Sequence, residues 1–145
     1  MIDDTLLHLL CTAAHLAGRQ RRAKDARYLF ERLAILYPDR AFPYVGYGLI
    51  RFEQRAFRDA AHWFRCAVDK APDHADALAL LGMSQIEDGL YPAGVRALEC
   101  ALALGKHSML EMTGAYLALP VCAPYRNRSI VSPRASVSRQ PAAKV

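Results

Sequence analysis

The amino-acid sequence predicts an all-α fold, and three observations support that prediction. Alanine, the strongest helix former, accounts for 25 of the 145 residues. Runs of β-branched residues and the apolar–polar alternation of strands are missing from the sequence. Pro38 and Pro72 each follow a stretch of helical periodicity and precede an aspartate. They lie 34 residues apart, and we call this interval the repeat period. Recurrence at this interval is typical of stacked helix pairs, so we expect antiparallel pairs of helices.

Local residues justify several of the expected helix ends. Pro43 and Pro92 lie at helix starts, where the missing N–H of proline does no harm. Pro120 ends the last helix, because the residue before a proline avoids helical geometry. The basic run from Arg19 to Lys24 is interpreted as a solvated turn between the first two helices. The predicted helices are 4–17, 23–36, 42–54, 57–70, 75–88, 92–104 and 107–118.

Small residues are expected to let the two helices of a pair approach closely. Gly48 lies opposite Ala60 in one pair, and Gly82 lies opposite Gly94 in the next. Large side chains at equivalent positions fill the space between pairs, namely Phe64 and Leu98. The chain therefore divides into a domain at 1–119, with units 7–40, 41–74 and 75–108 and a capping helix at 107–118, and a tail at 120–145.

The residues that recur between units resemble the signature of the tetratricopeptide repeat. In the second unit they are Tyr44, Tyr47, Gly48, Phe57, Ala60, Phe64, Ala67 and Pro72. In the third unit they are Leu78, Leu81, Gly82, Gly89, Tyr91, Leu98 and Ala101. The first unit departs from the pattern at its turn, where Arg21 and Ala23 replace the usual Gly and Tyr. The resemblance implies a right-handed superhelical stack of three helix pairs, and it implies nothing about chemistry.

The formal net charge of +5 belongs to the tail rather than to the repeats. Residues 120–145 carry five basic and no acidic side chains, whereas residues 1–119 hold 14 of each. The tail is also rich in proline and serine, so we expect it to be solvated and disordered. No specific nucleic-acid partner is expected of a neutral repeat domain. A basic strip inside that domain is explained by pairing with interleaved acids; it comprises Arg51, Arg55, Arg58 and Arg65.

The sequence also indicates a compartment. No window of about 18 residues is apolar enough for a membrane-spanning helix, so membrane insertion is not expected. The apolar stretch Leu6–Ala17 follows two aspartates, which is the wrong charge for a secretory signal. Four cysteines form no Cys-x-x-Cys pair and are expected to be reduced thiols. We therefore expect a cytoplasmic protein.

The resemblance implies which side chains line the concave groove of the stack, because the first helix of each pair faces it. The middle of that groove is apolar, and an exposed apolar patch usually marks a partner surface. Coverage by the tail, by the seventh helix or by a second copy of the chain is the alternative. The groove positions are His8, Cys11, His15 and Gly18 in the first unit and Asp76, Ala79, Met83 and Ile86 in the third. The predicted partner-binding groove comprises Phe42, Val45, Leu49, Phe52, Ala79, Met83, Ile86 and His15.

Other kinds of site are not expected. His8, Cys11 and His15 share one helical face, but no fourth ligand with suitable spacing accompanies them, so no metal site is predicted. No catalytic triad, cofactor loop or phosphate-cradling glycine run is found, so neither an enzyme nor a cofactor is expected. The Lys, Asn and Arg residues that clamp a peptide carboxylate in co-chaperones are missing from the corresponding groove positions, which hold Cys11, His15, Val45, Leu49, Ala79 and Met83.

The size of the chain and its apolar groove are similar to those of the small cytoplasmic chaperones of bacterial type III secretion systems. The resemblance depends on Phe42, Val45, Leu49 and Phe52, on the segment 25–30 and on Leu81-Gly82. It implies that the protein holds a hydrophobic segment of a secreted translocator or needle subunit before export. A second chaperone subunit or a homodimer is compatible with this interpretation. The alternative is a non-enzymatic adaptor or a self-associating scaffold in a larger assembly.

Overall fold

The computed structural model of the chain describes residues 22–105 and 108–127, together with Leu9 and Ala13. These ranges are all-helical and contain no strand, which confirms the predicted fold class. The predicted helix at 4–17 lies outside the described residues, apart from those two positions. The helices are α1 (Ala23–Leu36), α2 (Phe42–Glu53), α3 (Phe57–Lys70), α4 (Ala75–Glu87), α5 (Tyr91–Ala103) and α6 (Leu110–Leu117), followed by a 3-10 helix (Pro120–Tyr125).

The predicted helix boundaries agree closely with the observed ones, except at α6. The predicted ranges 23–36 and 57–70 match α1 and α3 residue for residue. Helix α6 begins at Leu110 rather than at residue 107. The Asp76 carboxylate accepts hydrogen bonds from the Ser108 hydroxyl at 2.8 Å and from the Met109 N–H at 3.0 Å. These bonds hold the chain in a turn immediately before α6, so the helix starts later than its sequence suggests.

Close backbone contact joins α4 and α5, as the small residues predicted. A Cβ atom added to Gly82 would lie 2.8 Å from the Gly94 carbonyl oxygen, and one added to Gly94 would lie 2.9 Å from the Gly82 oxygen. In the preceding pair, α2 and α3, a Cβ on Gly48 would lie 2.5 Å from the Phe64 ring, so Phe64 packs inside its own pair and not only between pairs as the sequence predicted. Since neither contact leaves room for a methyl group, glycine is required at these positions for the observed packing.

The geometry of α2–α3 recurs one repeat period later in α4–α5. The contact of Gly48 with Phe64 corresponds to the contact of Gly82 with Leu98. The turn inside each pair also contains one residue in the left-handed region, Arg55 with φ 60° and its equivalent Gly89 with φ 82°. Glycine adopts this conformation freely, whereas arginine does not. The two pairs are therefore repeated in backbone geometry as well as in sequence.

The chain after Pro120 begins as structure rather than as the expected tail. The 3-10 helix packs against α5 and α6, and Cys122 within it is fully buried. The backbone N–H of Asn127 then donates a hydrogen bond to the Glu99 carboxylate, which is itself buried. Residues 120–127 therefore do not form the disordered tail expected from Pro120 onward, because the 3-10 helix packs on α5, although most of its side chains stay exposed. Residues 128–145 lie outside the described ranges.

None of the helices between residues 22 and 127, in the two described stretches, combines the length and the apolar character that crossing a bilayer requires.

Candidate functional site

Most members of the predicted groove are buried in the chain alone. Val45, Ala79 and Met83 have no exposed surface, and Leu49 and Ile86 retain only 8% and 5%. The expectation that they form an exposed apolar row is therefore wrong. Helices α2 and α4 are apolar around most of their circumference, and a helix of that kind becomes a core element. Whether these residues bind a partner stays a prediction.

Ile86 and Phe52, two members of the predicted groove, make packing contacts within the fold. Ile86 packs inside its own helix pair, since a Cβ on Gly94 would lie 2.7 Å from its Cδ1 atom. The Phe52 ring meets Phe57 edge-on at 5.2 Å across the turn between α2 and α3.

Phe42 and Phe52, the two ends of the predicted row on α2, each contact another aromatic ring. Phe42 packs on Tyr37 at 5.5 Å where the chain enters α2, and both Phe42 and Phe52 keep part of their surface exposed. Asp76, placed at a groove position by the sequence, is buried and holds the start of α6. His15 lies outside the described residues.

A second candidate site, which we call the aromatic cleft, lies between α1, α2 and α3. It is an open cleft of about 330 Å³, and Tyr47 and Trp63 form one wall. Their rings stack with centroids 4.7 Å apart, and Tyr44 stacks on the other end of Trp63 at 6.4 Å. Tyr47 is nearly buried, whereas the indole stays partly exposed. The helical periodicity does not predict this cleft, although Trp63, the one tryptophan of the chain, follows Tyr44 and Tyr47 by the length of one helix and turn.

Three basic side chains and one acidic side chain surround the aromatic cleft. Arg27 pairs with Glu31 at 3.2 Å within α1. Arg51 pairs with Asp59 at 3.0 Å, so the pairing expected of the basic strip holds at this position. Lys24 has no carboxylate partner among the described residues. Because the two arginines are paired, the net positive charge beside the aromatic wall comes from Lys24, and it suits an acidic or aromatic group of a partner.

The arginines on the other side of α3 are also paired or hydrogen-bonded. Arg58 donates to Asp88 on the following pair at 3.4 Å. The Gln85 amide is oriented so that both its oxygen and its nitrogen are hydrogen-bonded. Its oxygen accepts from Arg65 at 3.0 Å, and its nitrogen donates to the Ala93 carbonyl at 3.2 Å. These contacts tie α3 to the next helix pair. Arg58 is thereby ion-paired, whereas Arg65 is hydrogen-bonded to a neutral amide that does not offset its positive charge.

Two of the three described thiols, those of Cys66 and Cys122, are poorly suited to nucleophilic chemistry. Burial, together with the nearby Asp69 carboxylate, raises the pKa of the Cys66 thiol above its ordinary value. The His62 Nε2 atom lies 4.0 Å from the sulfur, which is too far for a base to activate it directly. Burial likewise raises the pKa of the Cys122 thiol. Only the thiolate is strongly nucleophilic, so both groups are expected to be unreactive near neutral pH.

In the stretches 22–105 and 108–127, no three His, Cys, Asp or Glu side chains are grouped closely enough to hold a metal ion. The face that carries His8, Cys11 and His15 lies outside the described residues.

Comparison with known proteins adds no family assignment. No family model matches the chain, and no curated protein shows significant similarity to it.

Proposed function

We propose that the protein is a non-enzymatic, protein-binding module of the tetratricopeptide type. In this proposal the units 7–40, 41–74 and 75–108 stack as a right-handed superhelix, and α6 caps the stack. One observation carries it: the packing contact and the left-handed turn residue of α2–α3 recur one repeat period later in α4–α5. Stacked helix pairs of this kind build extended surfaces that bind other proteins.

The client proposed first is a hydrophobic segment of a secreted translocator or needle subunit, held in the cytoplasm before type III secretion. The support is the resemblance of the chain to chaperones of that class and the uncharged row on α2. Because Val45 and Leu49 are buried in the chain alone, the client would make its first contacts with Phe42 and Phe52, which remain partly exposed. Deeper binding would require the covered face of α2 to open.

The closed state of the predicted groove favours a second candidate function. An adaptor or self-associating scaffold would use surfaces that are already exposed, such as the aromatic cleft, and would not need α2 to open. Trp63, Lys24 and Arg51 are accessible there without any rearrangement. Aromatic and arginine side chains dominate the energetics of most protein interfaces.

The two functions are separated by purifying the chain from its native host and identifying what stays bound. A chaperone should retain one small, hydrophobic secreted protein in near-equal amount, and Phe52→Glu should release it. Trp63→Ala should release the partners of an adaptor, which should be several larger folded proteins. Leu104→Glu, immediately after α5, is the matched control, because it adds a charge at another exposed apolar position.

Circular dichroism must first show that each variant keeps its helices. Phe52→Glu is preferred to Leu49→Glu because a charge at the buried Leu49 would destabilise the fold itself. If Phe52→Glu retains its client at the level of the unmodified chain, the proposed groove on α2 is wrong.

A further inference from the structure

Helix α1 presents apolar side chains to solvent along one of its faces. Tyr28, Ile35 and Leu36 are 58%, 71% and 69% exposed, and Arg32 lies among them. With 3.6 residues per turn, these four positions fall within about 100° of the helix circumference and form one continuous stripe. We call these four residues the α1 stripe. Exposed apolar residues scattered singly are ordinary, but a contiguous stripe on one helix calls for a partner.

The later helix pairs show that the fold does not require an apolar stripe at this place. One repeat period after Tyr28, Ile35 and Leu36, the equivalent positions on α3 are occupied by His62, Asp69 and Lys70, all of which are exposed. On α5 and at its C-terminal end the same positions hold Arg96, Ala103 and Leu104, which are also exposed. Each of those helices already packs against the first helix of its pair. In both later pairs, these positions stay exposed although the helix packs against its partner. A helix that preceded α1 and paired with it in the same way would therefore leave the α1 stripe uncovered.

Arg32 gives the α1 stripe a positive charge at its centre. Its guanidinium carbon lies 5.0 Å above the Tyr28 ring, a cation–π contact that fixes the charge among the apolar side chains. No carboxylate pairs with Arg32 in the described ranges. The chain's own segment 128–145 is a poor occupant, since all its charged side chains are basic.

A second copy of the chain is also a poor occupant. An antiparallel pair of α1 stripes would have its two-fold axis near Arg32, so two guanidinium groups would face each other. With side-chain areas of about 150–200 Å², the three apolar residues expose on the order of 400 Å². A stable dimer usually buries about 800 Å² on each partner, about twice that area.

We propose that the α1 stripe docks an amphipathic helix of a different protein. The partner helix presents apolar side chains to Tyr28, Ile35 and Leu36 and places an aspartate or glutamate among them, where it pairs with Arg32. The apolar contacts supply the affinity and the ion pair fixes the register. This surface is separate from the predicted groove on α2 and does not depend on the function proposed above.

The test uses a phage library of single-helix peptides with one randomised face, selected on the full-length chain. Selected peptides are then compared on the double variant Ile35→Asp/Leu36→Lys, which copies the residues that α3 carries at the equivalent exposed positions. Leu104→Lys, a charge at the position equivalent to Leu36 immediately after α5, is the matched control. Affinities of selected peptides are then measured by fluorescence anisotropy, and sedimentation equilibrium gives the oligomeric state of the chain.

Selected peptides should carry apolar residues spaced by three, four and seven with an acidic residue between them. Their Kd should rise at least tenfold on the double variant and stay unchanged on Leu104→Lys. Arg32→Glu should weaken binding, and replacing the peptide's acidic residue by lysine should restore it. The proposal is overturned if no selected peptide is sensitive to the double variant or to Arg32→Glu. It is equally overturned if the chain sediments as a dimer that the double variant dissociates.

Discussion

Replacing Arg55 by glycine is expected to stabilise the protein, although it removes a whole side chain. Arg55 has φ 60°, and its exposed side chain makes no hydrogen bond or ion pair with the described residues. The left-handed conformation costs an L-residue about 1–2 kcal/mol. Glycine avoids this cost but loses about 0.5–1 kcal/mol more conformational entropy on folding. The difference predicts that the free energy of unfolding of Arg55→Gly rises by about 0.5–1 kcal/mol.

Gly89 supplies the matched control, because it occupies the equivalent position of the next helix pair with φ 82°. No atom outside the local backbone lies within 4 Å of a Cβ added there, so Gly89→Ala introduces backbone strain without a clash. We expect it to lower the free energy of unfolding by about 1 kcal/mol.

Urea denaturation followed by circular dichroism measures both changes, and a calorimetric Tm should move by about 2–4 °C for each kcal/mol. The opposite signs of the two variants are the decisive result. If Arg55→Gly unfolds at the same or a lower urea concentration than the unmodified chain, the left-handed turn stores no strain and the reasoning fails.

Three further perturbations test the packing. Gly82→Ala should lower the free energy of unfolding by about 2–3 kcal/mol, because the added methyl group pushes α4 away from α5. In the same urea assay Gly114→Ala should be neutral or stabilising, because its added Cβ meets no atom within 4 Å. Ending the chain at Leu119 should lower the free energy of unfolding by about 2 kcal/mol, since the buried Cys122 is lost; an unchanged thermal melt would contradict its packing role. Burial and the hydrogen bond to Glu87 raise the pKa of Tyr116, so its contribution to stability is complete below pH 10 and falls as pH rises above that value. Tyr116→Phe should therefore flatten the alkaline limb of a plot of Tm against pH.

The elements of the fold could be predicted because their signals are local. The spacing of Pro38 and Pro72 sets the repeat, and the turn residues between helices set the ends of α1 and α3. The start of α6 could not be predicted in this way. It depends on Asp76, a residue 32 positions before Ser108, whose role appears only when α4 and α6 are brought together.

The candidate site was harder to predict because periodicity gives the direction of a side chain but not what covers it. Val45 and Met83 have the positions of groove residues, and only the packed structure shows that they have no exposed surface. Ile86 was assigned to the groove, whereas the missing side chain of Gly94 makes room for it inside the pair. The stack of Trp63 on Tyr47 joins two helices through side chains that the repeat pattern treats as independent.

The 3-10 helix at Pro120–Tyr125 has a consequence for how many helix pairs the array can contain. A stack of repeats has two terminal faces, and either face can add another pair or another molecule as long as it stays open. Here the outer side of α5 is already occupied by α6 and by the segment that buries Cys122 and bonds to Glu99. In the proposed stack these contacts block growth beyond α5, so a longer assembly would extend from the α1 side and would have a direction.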